Sequence, residues 1–322
     1  MILFGKKLKK RGILFPISDE FILFVSRNSV ELRKHFSFYT QSFDLEEILD
    51  KRKFIRICKN SEFSYPESLF SKDQEEIYRF FFRLKNPIIA KRANHYLKVR
   101  DKKFWKAVKL SSRKELDEFL SKYNPENFIF QNYIPGDNKD LISYLSLVDR
   151  KNQIKAELVG RKIAQFPSQF GSATLVEKIS NKEALKQGRN WIKYLGLRGP
   201  SQVEFIRDYR DNELKLLEVN PRFIYWSSLM KNKHEDVYNM AYTDLLGKEI
   251  DPLLATSHIN FWIYFIRYFE SNILNRKNLL FIFNNSNLLL KKGIRMADID
   301  LSDIKPIAYH LLLDIKKIFF GS

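Results

Sequence analysis

The run VEFIRDYRDNELKLLEVNPRF, residues 203 to 223, restricts the fold more than any other stretch of the chain. Two strand-like segments, VEFIRD and LKLLEVN, flank the polar YRDNE, and the whole reads as an antiparallel hairpin. Side chains alternate faces along a strand, so Leu216, Glu218 and Asn220 are expected on one face and Leu217 and Val219 on the other. In the partner run Val203 and Phe205 point one way and Glu204 the other. Pairing the two strands brings Glu204 opposite the Glu218 and Asn220 face, and three oxygen donors converge.

Oxygen donors suit Mg²⁺, which is held by carboxylates, waters and substrate phosphates. Acids gathered in a cleft repel one another unless a cation compensates them. The same residues would also suit a solvated hairpin with acids at its edge, so the metal reading needs support from the rest of the chain. Basic residues supply it. Lys91 ends the short apolar run NPIIAK (86 to 91), a rigid element from which an ammonium can be aimed. Lys51 and Lys162 are further candidates, although a lysine taken singly belongs on the surface. Arg222 carries a planar fork that suits a phosphate or carboxylate, or a salt bridge to one of the same acids.

Elsewhere the chain alternates strand-like and helical patterns. RGILFPISDEFILFVS (11 to 26) reads as two short strands around a proline and acidic turn, with SVELRKHF as a helical segment after it. Asp44 to Lys59 reads as one helix capped by Ser42 or Asp44, and DQEEIYRFFFRL as another. SSRKELDEFLSKY and EALKQGRNWIKYLG have helical spacing, the first starting at Ser112 and the second ending at a glycine. NFIFQNYIPG, LISYLSLVD and IKAELVGRKIAQF read as strands, the last two an antiparallel pair around RKNQ. Residues 234 to 247 form a further helix, and the tail is expected to be mostly helical, with short extended pieces between residues 258 and 322.

At 322 residues, two or three packed units are expected. A content of 44% hydrophobic and 15% aromatic residues supports a sizeable core and excludes disorder for most of the length. The formal charge is +18, but Lys and Arg are scattered through KKLKKR (6 to 11), DKRKFIR (50 to 56) and RDKKFWK (100 to 106). No zinc-finger or RNA-binding signature accompanies them, so solvated helix faces plus one phosphate cleft are favoured over a nucleic-acid groove. Cys58 is the one cysteine, which excludes an intrachain disulfide and fits the cytoplasm. His35, His95, His234, His258 and His310 lack the tight spacing of a zinc site.

MILFGKKLKKRGILF lacks the design of a secretory signal. INFWIYFIRYF (259 to 269) is short and contains Arg267, and NLLFIFNNSNLLL (278 to 290) is interrupted by polar residues. Neither supplies a bilayer span, and both are expected as buried helices. The basic balance leaves peripheral membrane association open.

An ordered series runs through the chain: SDE at 18 to 20, DKRKF at 50 to 54, NPIIAK at 86 to 91, QNYIPG at 131 to 136, GRKIAQFP at 160 to 167, VEF at 203 to 205 and LEVNPR at 217 to 222. Each piece is weak alone, but in this order and spacing they resemble the ATP-grasp family, in particular its carboxylate–amine ligases. The resemblance implies an α/β (α+β) fold with a nucleotide cleft between two subdomains. It divides the chain into a partial pre-ATP-grasp domain (1 to 49), an ATP-grasp domain (50 to 250, with lobes of about 50 to 128 and 129 to 250) and an extension (251 to 322).

The resemblance also implies roles. Lys91 would contact the ATP phosphates, with Lys51 across the nucleotide cleft. Gln131, Asn132, Tyr133 and Ile134 would form the hinge strand that reads adenine, and Asp137 or Asp140 would approach the ribose. Glu204, Glu218 and Asn220 fall on magnesium-ligand positions, which Mn²⁺ could share. Arg222 fits the arginine that stabilises the transferring phosphoryl group, with Lys162 as a second catalytic candidate.

The implied partners are a small-molecule carboxylate and an amine, joined through an acyl-phosphate. An ATP-grasp kinase or synthetase without amine transfer, or a nucleotide-binding protein without turnover, are the alternatives. The sequence departs from the family pattern in two places. RANHYLKVRDKK follows Lys91 where a glycine-rich phosphate loop is usual, and residues 92 to 103 are read as a mobile cover or an exposed turn. Only the final part of a first α/β domain is expected before residue 50, and three readings stay open: a fragment capped by a second copy or another partner, one rebuilt differently, or a shortened reading frame.

Overall fold

The computed structural model describes residues 1–41, 43–93, 106–167, 169–253, 259–268 and 293–297, with 305 and 309. Ser42, His95, His258, His310, the run 278–290 and all but the first two residues of 92–103 lie outside the described residues.

The chain opens with a short helix, α1 (Ile2–Gly5), and the strand β1 (Gly12–Ile13). Helices α2 (Asp19–Arg27) and α3 (Ser29–Leu32) follow, then β2 (Phe36–Ser37), which pairs with β1 in parallel. The run FILFV was expected as a strand and is part of a helix. Its apolar content suits either state, but Ser18 caps it by accepting from the Phe21 amide at 3.3 Å, and Asp19 and Glu20 meet the positive end of the helix dipole. Local capping outweighs strand propensity here.

The stretch from Asp44 to Lys59 was expected as one helix and is two, α4 (Leu45–Leu49) and α5 (Lys51–Lys59). Asp50 breaks it with extended dihedrals and then caps α5, accepting from the Arg52 amide at 2.9 Å. The break gives Lys51 a place at the head of a helix.

A four-stranded sheet, in the order β3-β6-β4-β5, is built from β3 (Ser68–Leu69), β4 (Ile88–Arg92), β5 (Ala107–Leu110) and β6 (Phe128–Asn132). Helices α6 (Gln74–Leu84) and α7 (Arg113–Lys122) cover one face, where Ile88, Ala90, Phe128 and Phe130 pack against Ile77, Phe80, Leu116 and Phe119. Strand alternation then turns Ile89, Lys91 and Gln131 to the opposite face.

The larger sheet has seven strands in the order β11-β10-β7-β8-β9-β12-β13. Its members are β7 (Leu141–Val148), β8 (Ile154–Phe166), β9 (Ser172–Ile179), β10 (Gly199–Asp208), β11 (Glu213–Asn220), β12 (Phe261–Ile263) and β13 (Ile294–Met296). One face packs on α4, α5 and α8 (Lys182–Tyr194) around the fully buried Trp191, whose ring lies 4.4 Å from that of Phe63. Emptying that position with Trp191→Ala should cost about 3–5 kcal/mol. Gly196, at φ 56, lets the chain leave α8 in the left-handed conformation that glycine tolerates. On the other face, α9 (Val237–Leu245) covers one end and leaves the remainder as a cleft wall.

Two further features differ from the sequence expectation. In the run from 259, read as a buried helix, only 265–268 are helical among the described residues. Phe261–Ile263 is one of the short extended pieces expected in the tail and pairs antiparallel with β9 while β13 joins it in parallel. Trp262 is fully buried in the core under α9, so this apolar segment is drawn into a sheet edge. Helix α5 belongs to the core of the larger sheet and not to the four-stranded one. Among the described residues no helix is long and apolar enough to cross a membrane.

Candidate active-site cleft

The open face of the small sheet and the uncovered face of the large one enclose a cleft of about 1440 Å³. Among the described residues nine basic side chains and five acidic ones line it, so its field favours an anionic ligand. Twelve of the thirteen candidate residues stand on its walls.

Lys91 projects from β4 on the small-sheet wall. It pairs in register with Ile129, while Ile89 pairs with Gln131, and its Nζ donates to the Gln131 side-chain oxygen at 2.5 Å. Gln131 in turn donates to Ser68 Oγ at 2.9 Å. Burial pushes the Lys91 ammonium down to about 8, against the pull of Glu218, while Lys51 adds repulsion and Glu204 attraction. The side chain is half-buried on the cleft wall and, among the described residues, has no carboxylate in hydrogen-bond contact, so a bound anion would relieve it.

The opposing wall is the β10–β11 hairpin. Glu204 and Glu218 are direct cross-strand partners, but the register shifts between Glu204 and Phe205, where Phe205 pairs with Leu216. Leu217 is the extra residue of a β-bulge. Strict alternation put Leu216 with Glu218 and Asn220, and Leu217 with Val219. The bulge corrects this: Leu216 and Val219 pack in the core with Val203 and Phe205, and Leu217 joins Glu218 and Asn220 on the cleft.

Like charges directly opposed on a sheet repel. Lys162, from β8, donates to Glu204 Oε1 at 3.0 Å with both side chains mostly buried. Asn220 Nδ2 donates to Glu218 Oε1 at 2.9 Å and to Gln202 Oε1 at 3.1 Å, and Gln202 donates onward to Ser143 Oγ at 3.0 Å. Arg222 donates from Nε to Asp19 Oδ1 at 2.6 Å and from a terminal nitrogen to Asn220 Oδ1 at 3.3 Å. The salt bridge of Arg222 therefore goes to the N-terminal helix and not to the hairpin acids.

Gln131, Asn132, Tyr133 and Ile134 run along the back of the cleft. The amides of Asn132 and Tyr133 are bound to the carbonyls of Glu67 and Pro87, at 2.8 and 3.0 Å. The Lys109 ammonium lies 4.1 Å from the Tyr133 ring centroid. Lys51, at the head of α5, and Asp137, after the Pro-Gly turn, also line the cleft.

Asp140 does not. Its carboxylate turns back to accept from the Asp137 amide at 2.7 Å and from the Tyr209 hydroxyl at 2.7 Å, and it is buried. It closes the turn after the hinge run. The ribose expectation therefore passes to Asp137 alone.

Among the described residues no group of three or more His, Cys, Asp or Glu side chains converges on a metal position. Glu204 and Glu218 stand at paired positions beside the Asn220 amide, whose nitrogen faces Glu218 and whose oxygen accepts from Arg222. Carboxylates so placed, with that amide oxygen if the Arg222 contact is exchanged, suit a hard cation sharing its sphere with waters and phosphate oxygens. Cys58 is buried, with its thiol pushed up to about 12 by that burial, and is no nucleophile.

The same arrangement of elements is found in known structures. N5-carboxyaminoimidazole synthetase from Staphylococcus aureus, complexed with ADP, superposes with a TM-score of 0.58 at 15% identity, over 79% of this chain and 64% of that one. L-amino acid ligase from Bacillus licheniformis superposes with a TM-score of 0.54 at 15% identity, over 71% of this chain and 55% of that one. The chain has the ATP-grasp fold. In sequence it is 24% identical over 229 residues to the D-aspartate ligase of Enterococcus faecium, covering 66% of this chain and 53% of that protein. It thus spans about half the length of the curated relative it matches. No family model matches it.

Within this ATP-grasp cleft the sequence reading missed Gln202, Ser143 and the contribution of Asp19. Gln202 was within reach of the parity argument, being two residues before Glu204 on the same strand. Asp19 falls in the SDE of the same ordered series as the hairpin, but no contact follows from that, and nothing in the sequence links Ser143 to the hairpin.

Proposed function

We propose that the chain is an ATP-dependent carboxylate–amine ligase. The observation that carries this reading is the opposition of Lys91, held near 8 by burial, to the Glu204–Glu218 pair across a cleft of nucleotide size. The ADP in the Staphylococcus aureus complex and the ligase names of two similar proteins support it.

In this reading Lys91 and Lys51 attract the phosphates of ATP, and the hinge run from Gln131 to Ile134 cradles the base. Because the Asn132 and Tyr133 amides are already bound, base recognition falls to the carbonyls of the run and to the Ile134 amide. Asp137 approaches the ribose. Glu204, Glu218 and Asn220 would hold Mg²⁺, which neutralises phosphoryl charge as it moves. The substrate carboxylate attacks the γ-phosphorus and ADP leaves, giving an acyl-phosphate. The amine then attacks the acyl carbon, loses a proton and expels phosphate.

Arg222 and Lys162 stabilise the charge on the transferring group. No protein nucleophile is required, since positioning and electrostatics supply the catalysis. The D-aspartate ligase likeness makes an amino acid the first substrate class to try.

The test is amine-dependent phosphate release from Mg·ATP, with pooled amino acids and other carboxylates and with product masses as the readout. A ligase yields an amide mass only when both partners are present. A stable phosphorylated acid, or ATP binding without turnover across broad pools, would overturn the proposal.

A further inference from the structure

The Arg222 side chain is fixed from a distant part of the chain. Asp19 is the first residue of α2, 203 positions away, and its carboxylate receives Arg222 Nε at 2.6 Å. Both groups are largely buried, with side-chain exposures of 10% for Asp19 and 23% for Arg222, and both line the cleft. Each end is held locally. Ser18 caps α2 and sets Asp19 at the head of the helix. Pro221 restricts the backbone entering Arg222, whose amide donates to the Asn220 carbonyl at 2.9 Å.

A guanidinium has five N–H donors. Asp19 and the Asn220 side chain engage two of those on Arg222, and the other three make no bond within the described residues. The face of the fork that is left suits an anion in the cleft. The nearby acids matter too. Glu218 lies four residues before Arg222 and shares Asn220 with it through hydrogen bonds. A guanidinium without its anchor has a carboxylate close by onto which it can fall.

We infer that Asp19 is a positioning residue for Arg222: it holds the guanidinium off the Glu204–Glu218 cluster with its open donors toward the transferring phosphoryl group. The inference rests on the ATP reading above and adds that the N-terminal segment completes the site. Asp19 itself need not touch nucleotide. Its removal should therefore spare ground-state nucleotide binding and weaken the binding of a phosphoryl-transfer mimic.

The full chain is titrated by calorimetry with Mg·ADP, alone and with fluoroaluminate as the mimic of the moving phosphoryl group. Wild type should bind Mg·ADP and tighten at least about tenfold with fluoroaluminate. Asp19→Asn should keep its Mg·ADP dissociation constant within about twofold and lose most of the tightening. Asp19→Glu, which keeps the charge one methylene further out, should retain part of it. Adding Asp19→Asn to Arg222→Lys should cost nothing further, because one residue acts through the other.

Wild-type tightening preserved in both Asp19→Asn and Asp19→Glu would overturn the inference and leave the ATP reading standing. Additive losses in the double variant would overturn it too. If wild type fails to bind Mg·ADP, the ATP reading falls and takes this inference with it. A melting temperature for each variant separates loss of folding from loss of positioning. If Asp19→Asn does not fold, Asp19→Glu and the Arg222→Lys, Asp19→Glu pair decide the matter by the same criteria.

Discussion

On the small-sheet wall of the cleft Lys91 bonds a neutral amide, that of Gln131, while on the large-sheet wall Lys162 bonds Glu204, Arg222 bonds Asp19 and Arg161 bonds Glu177. The first wall holds a half-buried cation whose charge, among the described residues, is unmatched by contact. The second is matched pair by pair and held by a chain of side-chain bonds reaching Ser143. One wall is arranged to gain from an incoming anion, and the other is arranged to stay in place when it arrives. The difference follows from sheet position, since strand parity exposes Lys91 and Gln131 together, whereas the hairpin collects its partners from α2, β7 and β8.

The strongest way to break this contrast is to remove an acid from the matched wall. Glu218→Ala should lower amine-dependent phosphate release by about 10²–10³-fold, the range for losing one charge-stabilising group in a reaction of this kind. Normal turnover in this variant would end the metal assignment.

Lys91→Met tests the other wall, with opposite effects on binding and stability. Mg·ADP affinity should fall about 10–100-fold, as one charge-assisted contact is lost. The empty protein should become more stable at neutral pH, by about 1–2 kcal/mol after allowing for the partner Gln131 loses. The direction follows from the depressed value. Below pH 8 the ammonium is protonated both folded and unfolded, and its burial penalty is present in full. From pH 8 to about 10.5 the folded chain gives up its proton first, so wild-type stability contributed by this group rises with pH across that window. The gain from Lys91→Met should shrink over the same range, as a denaturant series at several pH values would reveal. Affinity of the wild type for Mg·ADP should decline as pH climbs through 8, a step that Lys91→Arg should abolish.

A smaller effect is expected where the matched wall is only braced. Gln202→Ala frees the Asn220 amide and should weaken the Mg²⁺ dependence of nucleotide binding about tenfold. Smallest at the site is Asp140→Ala, for which Mg·ADP affinity should stay within about twofold while stability falls by about 1–3 kcal/mol, because the Asp137 amide and Tyr209 hydroxyl lose their acceptor. A large loss of nucleotide affinity there would restore Asp140 to the binding surface.

These residues also mark how far the sequence could be read. The hairpin, the facing of Glu204 and Glu218, and Lys91 at the end of a short strand all follow from alternation and local turn signals. The bulge at Leu217 does not, because an extra residue in a strand leaves no mark in residue type, and it moved two leucines to the opposite faces. The helix at Asp19–Arg27 was legible but misread: Ser18, Asp19 and Glu20 form a helix start, and the apolar run after them drew the strand assignment. Asp140 came, as an alternative to Asp137, from the family resemblance, which carries no information about a carboxylate that folds back on its own turn. The Arg222–Asp19 pair lies beyond any local rule, since what joins the two is the way separate elements pack.

The 203-residue separation of that pair bears on how the protein is made. At usual rates of translation, α2 leaves the ribosome about 10–40 s before the residue that Asp19 will hold. Closing so long a loop is costly in entropy until the intervening sheets have formed, so the ion pair belongs among the last contacts made. A nascent or partly unfolded chain can therefore carry both sheets and still lack an anchored arginine. Asp19→Asn should therefore speed unfolding while leaving the refolding rate nearly unchanged, as stopped-flow kinetics on wild type and variant would reveal.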